Sequence, residues 1–248
     1  MQIAILSDIH GNGVAFDAVL ADLQAQPIDQ LVCLGDAIQG GPQPAEVTRR
    51  LRELACPVVM GNADAWLLTG HETGNEQISD ERRRKMDAVR AWSLAQLSEA
   101  DRAFIAAFQT TITLPLDANL NLLCFHGSPV SFDDLILPST PEEEFQRILG
   151  RSAADHIMTG GHVHLPYVRR IGNHFHFNPG SVGLAYNHQQ DESDFHVDPW
   201  AEYAVLGIAG GRISLDLRRV PVDVDRLLRA YRDSGRPFAE DAMRQYRG

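Results

Sequence analysis

Short apolar runs that each stop at a polar, glycine-bearing turn set the pattern of the chain's first 60 residues. After Met1, QIAILS is too brief for a helix and reads as a strand buried on both faces, ending in SDIHGNG. Val14, Ala15, Ala18, Val19 and Leu23 then recur at helical spacing until Pro27 stops the pattern. Gln30 to Leu34 reads as a second strand ending in GDAIQGGP, and Glu46 to Leu54 as a helix. CPVVMGN predicts a third buried strand. Strand, loop and helix in repetition predict an α/β sheet whose loops gather at the carboxyl ends of the strands.

From about 64 to 110 the texture changes. A polar, turn-rich stretch leads into a segment with Met86, Val89, Trp92 and Leu97 at helical spacing, which predicts a helical insertion. Ser98, followed by Glu99 and Asp101, predicts a capped helix start. The basic run Arg82 to Lys85 lies in this acidic, amphipathic segment and reads as a solvated helix face.

Beyond Thr110, TTITLPLDANLNLLCFHG predicts two strands around Asp117 to Asn119, then come a helix at Pro141 to Leu149 and the strand HIMT. The tail predicts hairpins turning at Gly172-Asn173 and Gly210-Gly211, a helix from Val222 to Tyr231 and a short one after Pro237. With no repeat, low-complexity stretch or linker, the chain is expected to form one domain over 1–248.

Composition narrows the function. The net charge of −11 argues against an extended nucleic-acid surface, because such surfaces are basic. No apolar run approaches the ~18 residues a membrane span needs. The three cysteines, Cys33, Cys56 and Cys124, form no disulfide framework, so a soluble, cytoplasmic protein is expected. The ten histidines stand out because they cluster.

Five polar groups each follow a predicted strand: Asp8-Ile9-His10, Gly35-Asp36, Gly61-Asn62, His126-Gly127 and Gly161-His162-Val163-His164. A pair such as Gly-Asp means little alone. The ordered set at strand ends carries the argument. Two divalent ions about 4 Å apart need a shared carboxylate and several neutral or anionic ligands. Imidazole with carboxylate suits Mn, Fe, Ni or Zn more than Ca, and the lack of thiolates argues against a structural zinc site.

These blocks resemble the calcineurin-like metallophosphoesterase superfamily, whose pattern is D-x-H, GD, GN-H, H and GH-x-H. The segment Asn178 to Gly183, NPGSVG, resembles its small bacterial and archaeal phosphodiesterase branch. The resemblance implies a four-layer αββα sandwich of two mixed sheets and a two-metal site, with Mn foremost and Fe, Ni, Zn or Mg as alternatives. It implies that Asp8, His10 and His164 hold one ion, that Asn62, His126 and His162 hold the other, and that Asp36 bridges them. Asn12 and Asp64 are candidates to support these ligands from behind.

The chain departs from the pattern at Ala63, where the family supplies a histidine that protonates the leaving group. General acid catalysis is worth about 10²- to 10⁴-fold, so the loss falls hardest on poor leaving groups. His10 is a candidate to orient or protonate the leaving oxygen, and His188 or His196 in the long loop 186–200 is a candidate replacement acid. The expected activity is hydrolysis of a phosphodiester or activated phosphomonoester by a water activated between two metals, on a small substrate such as a nucleotide. The alternatives are a Ser/Thr-type protein phosphatase and a non-catalytic metal-binding scaffold like the retromer subunit of the same fold.

Overall fold

Strand β1 (Gln2–Leu6) sends Ile3 and Ile5 to one side and Ala4 and Leu6 to the other, and both sides are buried. That period-2 alternation builds the layers. Ala4 and Leu6 meet Phe16 and Val19 of helix α1 (Gly13–Gln24) and Val47 and Leu51 of α2 (Pro44–Leu54). Ile3 and Ile5 meet Leu122, Ile157 and Phe177 of a second sheet. Burying each isoleucine contributes about 2 kcal/mol, so an acidic residue at Ile5 would split the two sheets.

The computed structural model describes residues 1–71, 78–149, 156–172, 174–190 and 194–246. Its first sheet has the order β2-β1-β8-β9, with β2 (Gln30–Cys33) parallel to β1 and β8 (Trp200–Ala209) antiparallel to it; β9 (Arg212–Pro221) completes the hairpin through Gly210-Gly211. The second sheet joins five strands in the order β3-β4-β5-β7-β6. These are β3 (Ile112–Pro115), β4 (Asn121–Cys124), β5 (His156–Thr159), β6 (Tyr167–Ile171) and β7 (His174–Asn178), of which β4, β5 and β7 run parallel. Helix α6 (Glu142–Leu149) covers its outer face, where Phe145 and Ile148 pack on Phe125 and Met158. Helix, sheet, sheet and helix follow one another, as the resemblance implied.

The segment 64–110 is helical, but its first helix begins earlier than expected. Helix α3 (Asn62–Thr69) starts at a candidate site residue, and α4 (Asp80–Gln96) and α5 (Glu99–Ala106) follow. Ser98 and Asp101 close a reciprocal capping box on α5, worth about 1 kcal/mol. Helices α7 (Val224–Asp233) and α8 (Ala239–Arg244) pack Leu227, Tyr231 and Met243 on Val14.

The expected third strand, CPVVMGN, shrinks to two bridges, Cys33 with Val58 and Val59 with Gln109. Pro57 has no N–H to give, and two residues beyond Val59 the chain turns at Gly61 into α3, so pairing cannot extend. The tail hairpin joining β6 to β7 forms as expected, although Asn173 of its predicted turn lies outside the described residues. Among the described residues no helix is long and apolar enough to cross a membrane.

Candidate metal centre

The loops leaving β1, β2, β4 and β5, together with the start of α3, converge at the carboxyl ends of the strands. There the chain adopts costly backbone. Asp8, His10, Asp36, His162 and His164 all have positive φ, between 48° and 69°, and they make up five of the seven such non-glycine residues among those described. At about 1 kcal/mol apiece this strain approaches the net stability of an ordinary domain. Other contacts must hold it.

Those contacts come largely from main-chain groups. Val182 and Gly183 donate to the carbonyls of Ser7 and Asp8, and the Ser181 hydroxyl donates to the Asp8 carbonyl at 2.8 Å. The Asn178 amide reaches the Gly161 carbonyl at 2.6 Å, tying the His162 loop to the same segment. Asp64 accepts the N–H groups of Ala37 and Ile38, both at 3.0 Å, and so clamps the loop beyond Asp36. Two glycines are forced by close approach: a Cβ on Gly61 would run into the Asp36 carboxylate, and one on Gly161 into Ser7 Oγ.

Two groups of ligand-type atoms result. Asp8, His10 and His164 form one, and Asp36, His126 and His162 the other, with the candidate atoms of each within 4.8 Å of one another. In three imidazoles Nδ1 lies against a carbonyl: His10 on Gln39 at 2.9 Å, His126 on Leu34 at 2.8 Å and His164 on Leu184 at 2.9 Å. The Nδ1 proton is thereby committed, and each Nε2 lone pair turns to the centre, as a metal-ligating histidine requires.

The carboxylates are divided in the same way. Asp8 Oδ2 accepts from Ser7 Oγ at 2.5 Å and from the His162 N–H at 3.1 Å, whereas Oδ1 is buried without a donor and faces His164 Nε2 at 3.1 Å. Asp36 Oδ1 accepts the Ala63 N–H at 2.8 Å; its Oδ2 lies 3.3 Å from His126 Nε2 and 3.9 Å from His10 Nε2, between the two groups. Asn62 Oδ1 is 3.0 Å from His126 Nε2. His10 Nε2 and His164 Nε2 stand 3.1 Å apart, too close for two bare lone pairs unless a proton or an ion lies between them. A buried carboxylate oxygen with no donor and lone pairs that converge on it fit divalent cations.

The electrostatics agree. Burial alone would raise both carboxyls, yet His164 beside Asp8 and His126 beside Asp36 hold them below the ordinary carboxylate range. Burial disfavours a charge on His126, but Asp36 overrides it and pushes the imidazole up to about 10; Asp8 raises His164 in the same sense. The carboxylates thus draw protons onto the sites a divalent ion would take. His10 and His162 shift down, chiefly through burial. Asp64, buried and near the Asp36 charge, rises to about 7.

The remaining candidates fall elsewhere. Asn12 does not back a ligand side chain: it caps α1, accepting the Ala15 N–H at 3.0 Å, and donates to the Gly183 carbonyl. His188 stacks on Tyr186 and meets the His164 carbonyl at 3.3 Å, while His196 is exposed and bonds within its own loop. Residues 191–193 of that loop lie outside the described residues. His10 is committed at both nitrogens, which leaves it no proton for a leaving group.

A cavity of about 750 Å³ opens on the two groups, sharing His10 and His162 with them and lined by Asn62 as well. Its wall includes Arg82 and Lys85, so the basic run is not merely a solvated face. A charge run looks the same in sequence whichever way tertiary packing turns it. Arg236, Phe238 and Gln39 also line this cavity, and sequence reading missed all three because nothing local marks them.

A profile of the calcineurin-like phosphoesterase superfamily domain matches residues 1–197. The chain is 27% identical over 202 residues to an uncharacterized protein of Methanocaldococcus jannaschii, covering 73% of this chain and 76% of that one. It is likewise 27% identical over 194 residues to phosphodiesterase YfcE of Escherichia coli, covering 74% and 80%. A hypothetical protein of Pyrococcus horikoshii shares the fold at a TM-score of 0.79 and 19% identity, over 100% of this chain and 98% of that one. A metallophosphoesterase of Sphaerobacter thermophilus does so at 0.72 and 22%, over 98% of both. With its ligand groups at the strand ends, the chain belongs to the calcineurin-like phosphoesterase superfamily, metal-dependent hydrolases of phosphate ester bonds.

Proposed function

We propose that this protein hydrolyses a small phosphodiester, or a phosphomonoester with a good leaving group, at a pair of divalent ions, Mn²⁺ foremost. Asp8, His10 and His164 hold one ion, Asn62, His126 and His162 the other, and Asp36 bridges them. The observation that carries this reading is the division of Asp36: Oδ1 is spent on the Ala63 N–H, and Oδ2 faces His126 and His10 from between the two groups. When bound, such a pair of ions supplies Lewis acidity and a nucleophilic water at neutral pH.

The protein's own residues set the geometry and the limits. Nδ1 bonds to Gln39, Leu34 and Leu184 fix three ring orientations before any ion arrives, and Asp64 locks the loop that presents Asp36. Ala63 stands where a protonating imidazole would serve, so activity should favour leaving groups that depart as anions, such as aryl oxides or phosphates. All three cysteines are free, which suits a reducing, cytoplasmic setting. The test is Asp36→Asn: turnover of bis-p-nitrophenyl phosphate with Mn²⁺ should fall by more than about 100-fold, since even groups that only orient ligands cost 10- to 100-fold. Retained turnover would sink the two-ion reading.

A further inference from the structure

The wall of the cavity facing the metal centre contains side chains that the hydrolytic reading does not use. Arg236 is half-buried there. Its Nε donates to the Gly40 carbonyl at 2.7 Å, and its Nη1 donates to the Pro237 and Phe238 carbonyls at 3.0 and 3.4 Å. Among the described residues its Nη2 has no acceptor and no carboxylate lies within 4.0 Å of its guanidinium, although the chain carries 33 acidic residues. Three carbonyls and the Tyr231 ring, 5.7 Å from its Cζ, therefore orient the cation, and the Asp241 charge acts on it only from a distance. Of the cavity's three acids, Asp241 is committed to Lys85 and Arg244 and Asp134 to Ser128, while Asp133 also lines the wall and makes no ion pair with Arg236.

Two neighbours point the same way. Gln39 lines the cavity at 6% exposure, and its Oε1 is buried with no partner. A buried amide oxygen left unmatched costs about 1 to 3 kcal/mol, a cost that rotation of the Gln39 side chain toward a ligand donor in the cavity would relieve. Phe238 is 44% exposed in the same wall at φ 57°, a conformation an aromatic residue adopts at a cost. The chain's one lysine, Lys85, lies 5.5 Å from the centre of its ring. Gly40, which accepts from Arg236, lines the cavity together with His10, and a Cβ on it would sit 3.6 Å from His10 Nδ1, so this subsite adjoins the metal centre.

We propose that Arg236, Gln39 and Phe238 form the subsite for the leaving half of the substrate, and that this half is nucleotide-like: a second phosphate on Arg236, a planar ring on Phe238 and a ring or sugar donor on Gln39. This rests on the phosphodiesterase reading and names its substrate class. A guanidinium pre-set by backbone carbonyls is suited to a phosphate oxygen, and an exposed aromatic face is suited to a base. The cavity, about 750 Å³, lies in the range that nucleotide-sized ligands occupy. Arg236 and Phe238 lie beyond residue 197, where the family profile ends. The bond broken would then be a P–O–P anhydride linkage at the attacked phosphorus, whose phosphate leaving group departs as an anion without a general acid, which is consistent with Ala63.

The test is calorimetric titration of the Mn²⁺-loaded full chain with α,β-methylene-adenosine diphosphate, which resists cleavage, and separately with inorganic phosphate. Affinity for the nucleotide relative to phosphate should drop about tenfold in Arg236→Ala and about fivefold in Phe238→Gly. Arg212→Ala, at the distant β8–β9 turn, should leave the ratio unchanged. Phe238→Gly keeps the test valid if Arg236→Ala folds poorly, because glycine is unstrained at this φ and should melt no lower than the wild type. An unchanged ratio in Phe238→Gly, or in a folded Arg236→Ala, would overturn the subsite. Absence of bis-p-nitrophenyl phosphate turnover by the wild type would instead overturn the phosphodiesterase reading, since the affinity ratio does not depend on turnover.

Discussion

His126 and His176 are equally buried, at 0% and 1% exposure, and each sits next to a phenylalanine in an apolar stretch, yet they do opposite things. His126 lies two residues beyond the end of β4, anchors Nδ1 on the Leu34 carbonyl and turns Nε2 toward Asp36. His176 lies inside β7, stacked on Phe125 with ring centres 5.7 Å apart, and neither of its nitrogens has a partner. The Asp36 carboxylate pushes His126 up to about 10, whereas burial pushes His176 down to about 3. Burial therefore does not make a histidine a ligand. What sets His126 apart is a fixed second nitrogen and a facing carboxylate.

The sharpest way to break this contrast is to remove one imidazole of each kind. His164→Ala should lose one of two Mn²⁺ ions per chain and more than about 100-fold in turnover, while His176→Phe should keep both ions; metal analysis after desalting reads the difference. Equal metal loss in both variants would end the distinction.

Next in size is the clamp behind the carboxylate. Both Asp64 oxygens accept backbone N–H groups, so Asp64→Asn sets an amide N–H₂ against one of them. We expect a stability loss of about 2 kcal/mol in urea and a 10- to 100-fold weaker metal affinity.

The buried His176 should show itself in pH. Its folded pKa lies near 3, below the ordinary 6.5, so the unfolded chain takes up a proton first as pH falls. Its contribution is present in full above pH 6.5 and is lost progressively toward pH 3. Between pH 6.5 and 4.5 the wild type should lose on the order of 2 kcal/mol more than His176→Phe in parallel denaturant titrations. The smallest effect is expected at His188, which meets a carbonyl and does not line the cavity: His188→Ala should keep turnover of an alkyl phosphodiester within about twofold. A tenfold loss there would make His188 the missing acid after all.

Much of the site was legible because its residues sit at strand ends, where spacing alone orders them. Asp8, His10, Asp36, Asn62, His126, His162 and His164 lie together at the carboxyl ends of the strands. Asn12 misled because an asparagine after a strand serves equally as a helix cap, and its side chain reaches the Ala15 N–H first. Val58 and Val59 misled because an apolar doublet looks like a strand until Pro57 and the turn at Gly61 limit its pairing. Arg82 and Lys85 misled because charge says nothing of direction: only the packing of α4 turns them to the cavity.

What the sequence determined by itself is local: where strands stop, which turns carry ligand-type residues, and that position 63 has no acid to give. Hydrophobic period and turn chemistry act over a few residues, and a few residues are enough to read them. Tertiary structure decided what distance along the chain conceals. It set the Nδ1 anchors that orient the imidazoles, the Ser181 and Asp64 braces that hold strained loops, and the approach of Arg236 to Gly40 across 196 residues. Such contacts depend on how two sheets and their helices close around a core, and no local pattern encodes that closure.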